Sequence, residues 1–553
     1  MENVSNGGPS RAAALASLGD SHFDVLVVGG GITGTGVARE AALAGWRTAL
    51  VERDDFAAGT SSRSSRLVHG GVRYLEHGHL ALVFESSHER RVLLHLAPHL
   101  VRPLAFTWPV YRGARVPRWK VRAGLLLYDA LALFRNAQRH EGLSVQEVRL
   151  HEPALGADNL LGGARYWDAA TDDTRLTLAT ALGAASSGAT VVNHCAVVGG
   201  LRMGPQRLEG VTVEDRLTGE RIDVRARVII NATGPWSDAT AALTGDAAGS
   251  QLLGSAGAHI AVPRERVGNH GAVTIVSPLD GRVMFVLPAG VHTIIGTTER
   301  PATNGPDEIR ATRREVTYLL QSVNRLFPAA KLTDADVVSA WCGIRPLAAA
   351  RAGEHSANAA SREHAITRRA DGLLSVTGGK LTTYRAMAAD VLKHAVVELG
   401  AAPSARAHER PRSEATPLPG GAFASRESLL AEVRTTAGDA AVGERLMQGY
   451  GADWTRVWQY TQRIATYGQC IADGLPYLLA EVAHAVEHEM ACTIADVLIR
   501  RTHVAFETRD HGRSAARRIA PIMADLLQWS PERQSQAIAE YDADAARLFT
   551  IEE

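Results

Sequence analysis

A glycine-rich turn near the start of the chain constrains the fold more than any other feature. The β-branched run from Phe23 to Val28 predicts a strand buried on both faces, and Gly-Gly-Gly-Ile-Thr-Gly follows it at 29–34. An Ala-rich helical stretch at 35–43 then leads through a second predicted strand at 48–51 to Glu52. This order of strand, glycine turn, helix, strand and acid is typical of a dinucleotide-binding α/β unit.

Each part of this unit has an expected role. Gly29 permits the tight turn, Gly31 lets backbone approach a pyrophosphate, and Gly34 lets helix and strand pack closely. The helix N-terminus supplies N–H donors to phosphate oxygens, and the acid accepts from ribose hydroxyls. The alternative is a glycine-rich turn that holds no ligand. We assign to the cofactor site Gly29, Gly31, Ile32, Thr33, Gly34, Glu52 and Arg53.

A later segment decides between NAD and FAD. Short strand-like runs at 191–198, 208–214, 220–226 and 228–231 end in Asn-Ala-Thr-Gly-Pro-Trp at 231–236. A β-meander that leads into such a turn resembles the second FAD-contacting segment of two-dinucleotide-domain flavoproteins, and it favours FAD. The residues predicted to contact FAD here are Val197, Ala232, Thr233, Gly234 and Trp236.

A basic, hydroxyl-rich loop at 59–74 predicts a site for anions. It reads GTSSRSSRLVHGGVRY and contains Arg63, Arg66 and Arg73 but no acid that could neutralise them. Hydroxyls and backbone N–H groups are neutral donors to a pyrophosphate, and the arginines add charge. The alternative is a solvated polar loop. The predicted cofactor contacts are Thr60, Ser61, Ser62, Ser65, Leu67, His69, Gly70 and Gly71.

Two further motifs place a cation beside glycine. The first is WCGIRPL at 341–347, and the second is LSVTGGKLTTYR at 374–385, in which Lys380 stands where a strand and a Gly-Gly turn lead into a helix. A helix N-terminus attracts anions, and its N–H groups would stabilise a reduced flavin. The predicted cofactor contacts are Gly343, Arg345, Gly379, Lys380, Leu381, Thr382 and Thr383.

Composition excludes several other classes of protein. Among 553 residues, 59 Lys and Arg balance 59 Asp and Glu, so no overall field gathers nucleic acid. The four cysteines lie far apart, which predicts neither a metal site nor a disulfide framework and fits a reducing cytoplasm. No stretch reaches the roughly 18–20 apolar residues that cross a bilayer. Residues 1–21 are interpreted as a disordered leader.

The motifs together resemble one family, the FAD-dependent glycerol-3-phosphate dehydrogenases of bacteria, within the D-amino-acid-oxidase superfamily. The similar segments are GGGITGTG, TSSRSSRLVHGGVRYLE, WDAATDDTRL, NATGPW, GAHIAVP, IIGTTE, GIRPL, ITR and GGKLTTYR. The resemblance implies an α/β, two-dinucleotide-type FAD-binding fold with an inserted mixed-sheet substrate domain and an all-α C-terminal domain. The expected FAD segments are about 22–105, 170–258 and 340–400, with substrate segments about 106–169 and 259–339, a linker at 401–421 and the helical domain at 422–545.

The resemblance also implies an activity. Family members oxidise sn-glycerol 3-phosphate to dihydroxyacetone phosphate, with electrons passing through non-covalent FAD to a membrane quinone. His259, Arg345 and Lys380 match catalytic positions, with His259 as the base. The substrate-binding positions are Arg73, Tyr74, His259, Arg345, Arg368 and Lys380. A homodimer is expected. The alternatives are a glycerol-3-phosphate oxidase that releases hydrogen peroxide, an amino-acid or hydroxy-acid oxidase, and a flavin-binding module without turnover.

A basic segment at 112–135 is a candidate for membrane contact. Arg118, Trp119, Lys120 and Arg122 precede the apolar run GLLLYDALALF. A basic, Trp-bearing segment beside an apolar helix resembles an interfacial anchor, whereas the alternative is a helix buried in the substrate domain. We therefore expect a cytoplasmic protein that attaches peripherally to the inner face of the cell membrane.

Overall fold

The computed structural model describes residues 11–202, 207–245, 252–303, 305–348, 363–400 and 412–553. Its strands are β1 (His22–Val28), β2 (Thr48–Val51), β3 (Leu67–Val68), β4 (Val101–Tyr111), β5 (Glu141–Leu143), β6 (Leu160–Thr171), β7 (Thr190–Val192), β8 (Cys195–Arg202), β9 (Leu208–Asp215), β10 (Arg221–Asn231), β11 (Leu252–Pro263), β12 (Ala272–Val276), β13 (Val283–Ala289), β14 (His292–Gly296), β15 (Arg300–Pro301), β16 (Ser339–Ala348), β17 (His364–Arg368) and β18 (Leu374–Gly378).

Helices cover both sheets and form the C-terminal part of the chain from residue 426 onward. They are α1 (Arg11–Asp20), α2 (Ile32–Leu43), α3 (Leu80–Leu96), α4 (Arg118–Leu131), α5 (Val145–His151), α6 (Asp173–Ser186), α7 (Ser237–Leu243), α8 (Arg264–Val267), α9 (Arg313–Leu326), α10 (Tyr384–Leu399), α11 (Arg426–Ala437), α12 (Ala440–Tyr450), α13 (Trp454–Arg463), α14 (Leu479–His488), α15 (Val504–Glu507), α16 (Arg513–Leu527) and α17 (Pro531–Phe549). None of the helices in the described ranges combines the length and the apolar character that crossing a bilayer requires.

The first sheet is the dinucleotide-binding sheet, with strand order β17-β18-β10-β1-β2-β7; β9 also pairs with β10, and β8 pairs with β9. β1 pairs in parallel with both β10 and β2, so its fully buried Val25, Leu26 and Val27 lie at the centre. α2, α6 and α10 pack together on this sheet. The run at 220–231, predicted as two strands, is the single strand β10, because its pairing passes directly from β9 to β1.

The second sheet is mixed and forms the substrate domain, with strand order β15-β11-β14-β13-β12-β4-β6-β3. β16 pairs antiparallel with β11 along its whole length, from Leu252↔Ala348 to Ala261↔Ser339. The edges of this sheet do not coincide with the domain boundaries that we predicted. The strands β3, β4, β11 and β16 belong to this sheet, although residues 67–68, 101–105, 252–258 and 340–348 lie in the segments assigned to FAD binding.

The predicted leader and linker are partly ordered. Residues 11–20 form α1, which buries Ala14 and Leu18 and is held by an ion pair from Arg11 to Asp215 at 2.6 Å. The prediction of disorder is wrong for this helix because its apolar face packs on the first sheet. In the linker, the Thr416 carbonyl accepts from buried Arg39 at 2.6 Å. Residues 1–10 and 401–411 lie outside the described ranges.

The C-terminal helical domain, α11 to α17, is joined to the dinucleotide-binding domain by buried charges. Asp55, His194 and Asp496 lie close enough together to share a metal ion. Arg500 instead contacts both carboxylates, at 2.8 Å to Asp55 and 2.5 Å to Asp496, and Arg501 donates to Asp55 at 2.5 Å. His194 lies 2.9 Å from Asp496. These residues therefore form an ion-pair network between the domains.

Candidate active site

The glycine turn between β1 and α2 has the geometry that the sequence predicts. Gly29 has φ +109°, and a Cβ there would lie 2.7 Å from the Ala232 carbonyl oxygen. A Cβ on Gly34 would lie 1.9 Å from the Gly29 carbonyl oxygen, so only glycine allows helix and strand this close. Gly31 is less crowded, with Ser61 Oγ at 3.4 Å from a Cβ. The turn therefore leaves a path for a ligand beside Gly31.

Glu52 follows β2 and lies in this turn. Its carboxylate accepts from the Gly30 N–H at 2.5 Å and from the Asp54 N–H at 2.8 Å. Burial, with the nearby charge of Asp54, raises the pKa of Glu52 to about 7 despite these hydrogen bonds. The acid therefore lies where the dinucleotide-binding fingerprint requires it. With a pKa of about 7, its carboxyl is partly protonated near neutral pH.

A cavity of about 370 Å³ runs from the glycine turn to the second sheet. It brings together most of the residues that the sequence predicts for the cofactor and the substrate. These are Gly29, Gly31, Ile32, Thr33, Glu52, Arg53, Thr60, Ser61, Ser65, Leu67, His69, Arg73, Tyr74, Val197, Ala232, Thr233, Gly234, Trp236, His259, Gly343, Arg345, Gly379, Lys380, Leu381 and Thr382.

Six predicted residues do not line the cavity. Five of them belong to the same turns and loops as the lining residues but do not themselves line the cavity: Gly34, Ser62, Gly70, Gly71 and Thr383. Arg368 lies elsewhere: it ends β17, its side chain is exposed, and it forms an ion pair with Glu398. The structure therefore does not place Arg368 with the other substrate cations, because the β17–β18 hairpin brings His364, and not Arg368, beside Gly378.

Arg63 lines the cavity as well; we expected it to add charge to the anion-binding loop but did not name it among the individual cofactor contacts. Its side chain is buried, and its Nη2 donates to the Ala58 carbonyl at 3.3 Å, while Nε has no hydrogen-bond partner among the described residues. Burial, with the charge of Arg547, lowers the pKa of Arg63 to about 10. A buried cation of this kind fits a pyrophosphate, and the neighbouring hydroxyl of Ser61 supplies a neutral donor.

Cations from three separate segments meet at the other end of the cavity. Lys380 Nζ lies 4.0 Å from the centre of the Tyr74 ring and 3.2 Å from Ser86 Oγ. Arg73 Cζ lies 5.3 Å from the same ring. Among the described residues that line the cavity, the acids are Glu52 and Asp54, which belong to the glycine-turn end. Both cations therefore lie against the ring of Tyr74 at this end of the cavity.

Arg345 is the third cation at this end, and the β11–β16 pairing holds it. Its guanidinium donates to Thr297 Oγ1 at 3.1 Å and reaches Ser255 Oγ at 3.5 Å. A Cβ on Gly257 would lie 2.7 Å from Arg345 Nη2, so the absence of a side chain there makes room for the guanidinium. The hydroxyls of Thr297 and Ser255 therefore orient the guanidinium of Arg345.

His259 belongs to β11 and lies near Arg345, which belongs to β16. Its ring stacks on Trp341 at 5.6 Å with an interplanar angle of 11°, and its Nε2 lies 2.8 Å from Ser65 Oγ. Burial, with the charges of Arg345 and Arg66, lowers the pKa of His259 to about 3. The ring is therefore neutral at physiological pH, which is the form that can accept a proton.

Sequence reasoning missed the partners that shape this end of the site. Trp341 supports His259, while Thr297 and Ser255 orient Arg345. Their signal in the sequence is weak, because it depends on the register between strands far apart in the chain. Arg63 carried a clearer signal, since it stands in an acid-free loop.

Comparison with known proteins agrees with the geometry. The family model for FAD dependent oxidoreductases matches residues 24–388, and the model for the C-terminal domain of alpha-glycerophosphate oxidase matches residues 411–534. The chain therefore belongs to the FAD-dependent oxidoreductases. FAD is its cofactor, and the turn, Glu52, Arg63 and the hydroxyls of the loop are the residues that fit it.

Relatives over the full length define the family more narrowly. The glycerol-3-phosphate dehydrogenase of Mycobacterium leprae is 37% identical over 97% of this chain and 90% of the relative. The crystal structure of the Bacillus halodurans glycerol-3-phosphate dehydrogenase complexed with FAD has a TM-score of 0.80, 29% identity and 98% coverage of both chains. Within the FAD-dependent oxidoreductases, the chain belongs to the glycerol-3-phosphate dehydrogenase family.

A third comparison concerns the fold alone. L-α-glycerophosphate oxidase from Mycoplasma pneumoniae with FAD bound has a TM-score of 0.52 and 18% identity, and the match covers 68% of this chain and 94% of the oxidase chain. The two proteins thus share a fold over about two thirds of this chain.

Proposed function

We propose that the protein oxidises sn-glycerol 3-phosphate to dihydroxyacetone phosphate and passes the two electrons from FAD to a membrane quinone. One observation carries this proposal. Arg73, Arg345 and Lys380 converge at one end of a cavity whose other end holds the dinucleotide turn. His259 lies with them.

The cations account for a phosphorylated substrate. A phosphate monoester carries a charge of about −2 near pH 7, and each charge-assisted hydrogen bond to it contributes about 1.5–3 kcal/mol. A carboxylate substrate would need fewer positive groups. Arg345 offers a planar pair of donors, whereas Lys380 offers a single ammonium group, so the two can hold different oxygens.

The neutral ring of His259 accounts for alcohol oxidation. FAD, when bound, accepts the hydride that leaves C2 of the substrate. The C2 hydroxyl must lose its proton as this happens, and a neutral imidazole within hydrogen-bond reach can accept it. A bound dianion would counter the charges of Arg345 and Arg66, so substrate binding is expected to raise the pKa of His259 and strengthen the base.

Anaerobic reduction tests the activity and the acceptor. Mixing the yellow holoenzyme with sn-glycerol 3-phosphate should bleach the flavin, whereas lactate and amino acids should not. Rapid reoxidation by a soluble quinone analogue, with slow reoxidation by air, would support the dehydrogenase. Fast reoxidation by air with release of hydrogen peroxide would contradict the quinone proposal, and no bleaching would refute the substrate. Acid precipitation should leave the yellow colour in solution, since we expect non-covalent FAD.

Helix α4 supports the proposal of peripheral attachment to the cytoplasmic face of the membrane. Val121 and Leu125 are buried, whereas the side chains of Trp119 and Leu126 are 71% and 55% exposed. The helix therefore packs one face into the substrate domain and presents outward a face that carries both basic and apolar side chains. The buried-helix interpretation fits the first face, and the interfacial-anchor interpretation fits the second. The homodimer stays a prediction.

Charge reversal on α4 tests the attachment. Lys120→Glu with Arg122→Glu alters exposed residues and leaves Arg118, which donates to the Leu143 carbonyl, in place. Because each basic residue near an anionic surface contributes about 1 kcal/mol, vesicle binding should fall by about 30-fold or more. The matched control reverses Arg314 and Arg325, which are exposed on α9. Unchanged co-sedimentation of the α4 variant with anionic vesicles would contradict the attachment.

A further inference from the structure

The C-terminal helical domain reaches the wall behind His259. Ser339 Oγ, at the start of β16, donates to the Phe506 carbonyl at 2.6 Å. The Phe506 ring meets the Trp341 ring edge-on at 5.2 Å, and His259 stacks on the same indole. Residues of the C-terminal domain therefore contact the side chain that supports the base, although they do not line the cavity.

Arg66 connects the same domain to this wall from the other side. It has φ +54°, in a left-handed turn of the hydroxyl-rich loop directly before β3. Its guanidinium lies 5.9 Å from the Trp341 ring centre and 5.3 Å from that of Phe506. Nη2 lies 3.3 Å from Nδ1 of His503, just before α15. The cation is thus held between two aromatic rings and one histidine.

Asp172 completes the chain of contacts. Its Oδ2 lies 3.0 Å from His503 Nε2, while its Oδ1 accepts from the Arg175 N–H at 2.9 Å as the N-cap of α6. The carboxylate is therefore fixed by the helix that it caps. Asp172, like Arg66, lies outside the C-terminal domain. His503 of the C-terminal domain therefore lies between two side chains of the N-terminal part of the protein, Arg66 and Asp172.

The hydrogen bonds select one protonation state for His503. A guanidinium can only donate, so Nδ1 must offer its lone pair to Arg66. An ionised carboxylate can only accept, so Nε2 must carry the hydrogen that Asp172 receives. A cationic ring would point an N–H at the guanidinium. The neutral tautomer with hydrogen on Nε2 is therefore the one that satisfies both neighbours, an assignment that follows from the network.

We propose that His503 is a positioning residue for the oxidation: with Asp172 it holds Arg66 on Trp341 and so fixes the surface against which His259 stacks. The proposal rests on the proposed function, in which His259 accepts the proton. It gives the C-terminal domain a part in the reaction without contact with substrate or cofactor. The charge of Arg66 also acts on His259 directly, since it contributes to the low pKa of that ring after burial and Arg345.

Replacement of His503 should affect the chemical step and spare substrate binding. In His503→Ala holoenzyme, the limiting rate constant of flavin reduction by glycerol 3-phosphate should fall about fivefold to tenfold. The substrate Kd from the same stopped-flow series should stay within about twofold, because Arg73, Arg345 and Lys380 keep their contacts. His503→Asn retains a carbonyl that can accept from Arg66 and should restore most of the rate. The control is His488→Ala, an exposed histidine of the same domain.

A double-mutant cycle separates this role from a general loss of structure. Arg66→Met keeps a side chain on Trp341 but cannot donate to His503. The double variant should be no slower than the slower single variant, because both changes break one chain of contacts. If the rate losses of the two single variants multiply in the double variant, the proposal is overturned. Equal losses of the flavin-reduction rate in His503→Ala and His503→Asn would overturn it as well. Melting curves of the single variants, expected to match the His488→Ala control, verify that the fold is intact.

A second readout does not depend on activity. Selective ¹⁵N-histidine NMR of the holoenzyme at pH 7.5 should show His503 as the neutral tautomer with hydrogen on Nε2, and a cationic ring would overturn the proposal. The outcomes also separate the two proposals. A wild-type holoenzyme that glycerol 3-phosphate does not reduce overturns the proposed function and this role with it. A normal wild type with an unaffected His503→Ala variant overturns the role alone.

Discussion

Arg63 offers the sharpest test of the cofactor site, because its removal should affect the apoprotein and the holoenzyme in opposite directions. Burial disfavours the charged form of its guanidinium and lowers its pKa from the usual range of an arginine to about 10. At about 1.4 kcal/mol for each pH unit, this corresponds to about 3 kcal/mol. Since the depressed pKa belongs to a base, the folded apoprotein carries the full cost at every pH well below 10.

Arg63→Met should remove that cost from the apoprotein. Methionine keeps the aliphatic stem in place but loses the 3.3 Å hydrogen bond to the Ala58 carbonyl, which contributes about 1 kcal/mol. The net gain is about 2 kcal/mol, so the variant apoprotein should melt a few degrees higher than wild type. FAD binding should weaken about 10- to 100-fold, because a charge-assisted hydrogen bond to phosphate contributes about 1.5–3 kcal/mol.

Two measurements on one preparation check this prediction. Scanning calorimetry of the apoprotein gives the stability, and fluorescence titration of the same apoprotein with FAD gives the Kd. The matched control is Ser62→Ala, because Ser62 is adjacent in sequence, reaches only the Gly59 carbonyl at 3.3 Å and does not line the cavity. A variant that melts lower and binds FAD like wild type would refute the reasoning, since Arg63 would then be satisfied within the fold.

Four further substitutions test the rest of the site. His259→Asn should slow flavin reduction about 100-fold or more in stopped flow, with little change in substrate Kd, because it removes the base. Arg345→Met should instead raise that Kd about 10-fold or more. Arg368→Met should leave the substrate Kd within about twofold of wild type, since Glu398 pairs with this arginine outside the cavity. Glu52→Gln should raise apoprotein melting increasingly from pH 5 to 8. Ionised Glu52, with its pKa raised to about 7, destabilises the fold by up to about 3 kcal/mol as pH rises from 4.5 through 7.

The dinucleotide-binding half could be predicted from the sequence because its determinants are local. Gly29, Gly34 and Glu52 all lie within one βαβ unit, where adjacent residues fix the turn and the ends of the strands. The helical domain was predictable from its resemblance to a known family. Helix α1 was missed because its apolar face is short, and only packing on the first sheet orders it.

The substrate half could not be predicted to the same depth, because cross-strand register creates it. Trp341 is 82 positions from His259 in the chain, yet the two are direct partners in the β11–β16 pairing. Arg368 illustrates the converse case, since a motif match predicts it for the site and the structure places it outside the cavity, in a hairpin whose register brings His364 beside Gly378. Sequence similarity identifies residue types that suit a site, whereas register decides which of them meet.

The same register explains why so many small residues surround the reacting groups. Ser255, Gly257 and His259 alternate along one face of β11, opposite Arg345, Gly343 and Trp341 on β16. A slip of one residue would turn His259 and Arg345 to opposite faces of the sheet. Two large side chains fit on one face only where their neighbours are small, and a Cβ on Gly296 would lie 2.2 Å from His259 Cδ2. Gly257 and Gly296 of the second sheet therefore have a different role from the glycines of the turn at 29–34, because they make space for the side chains of Arg345 and His259.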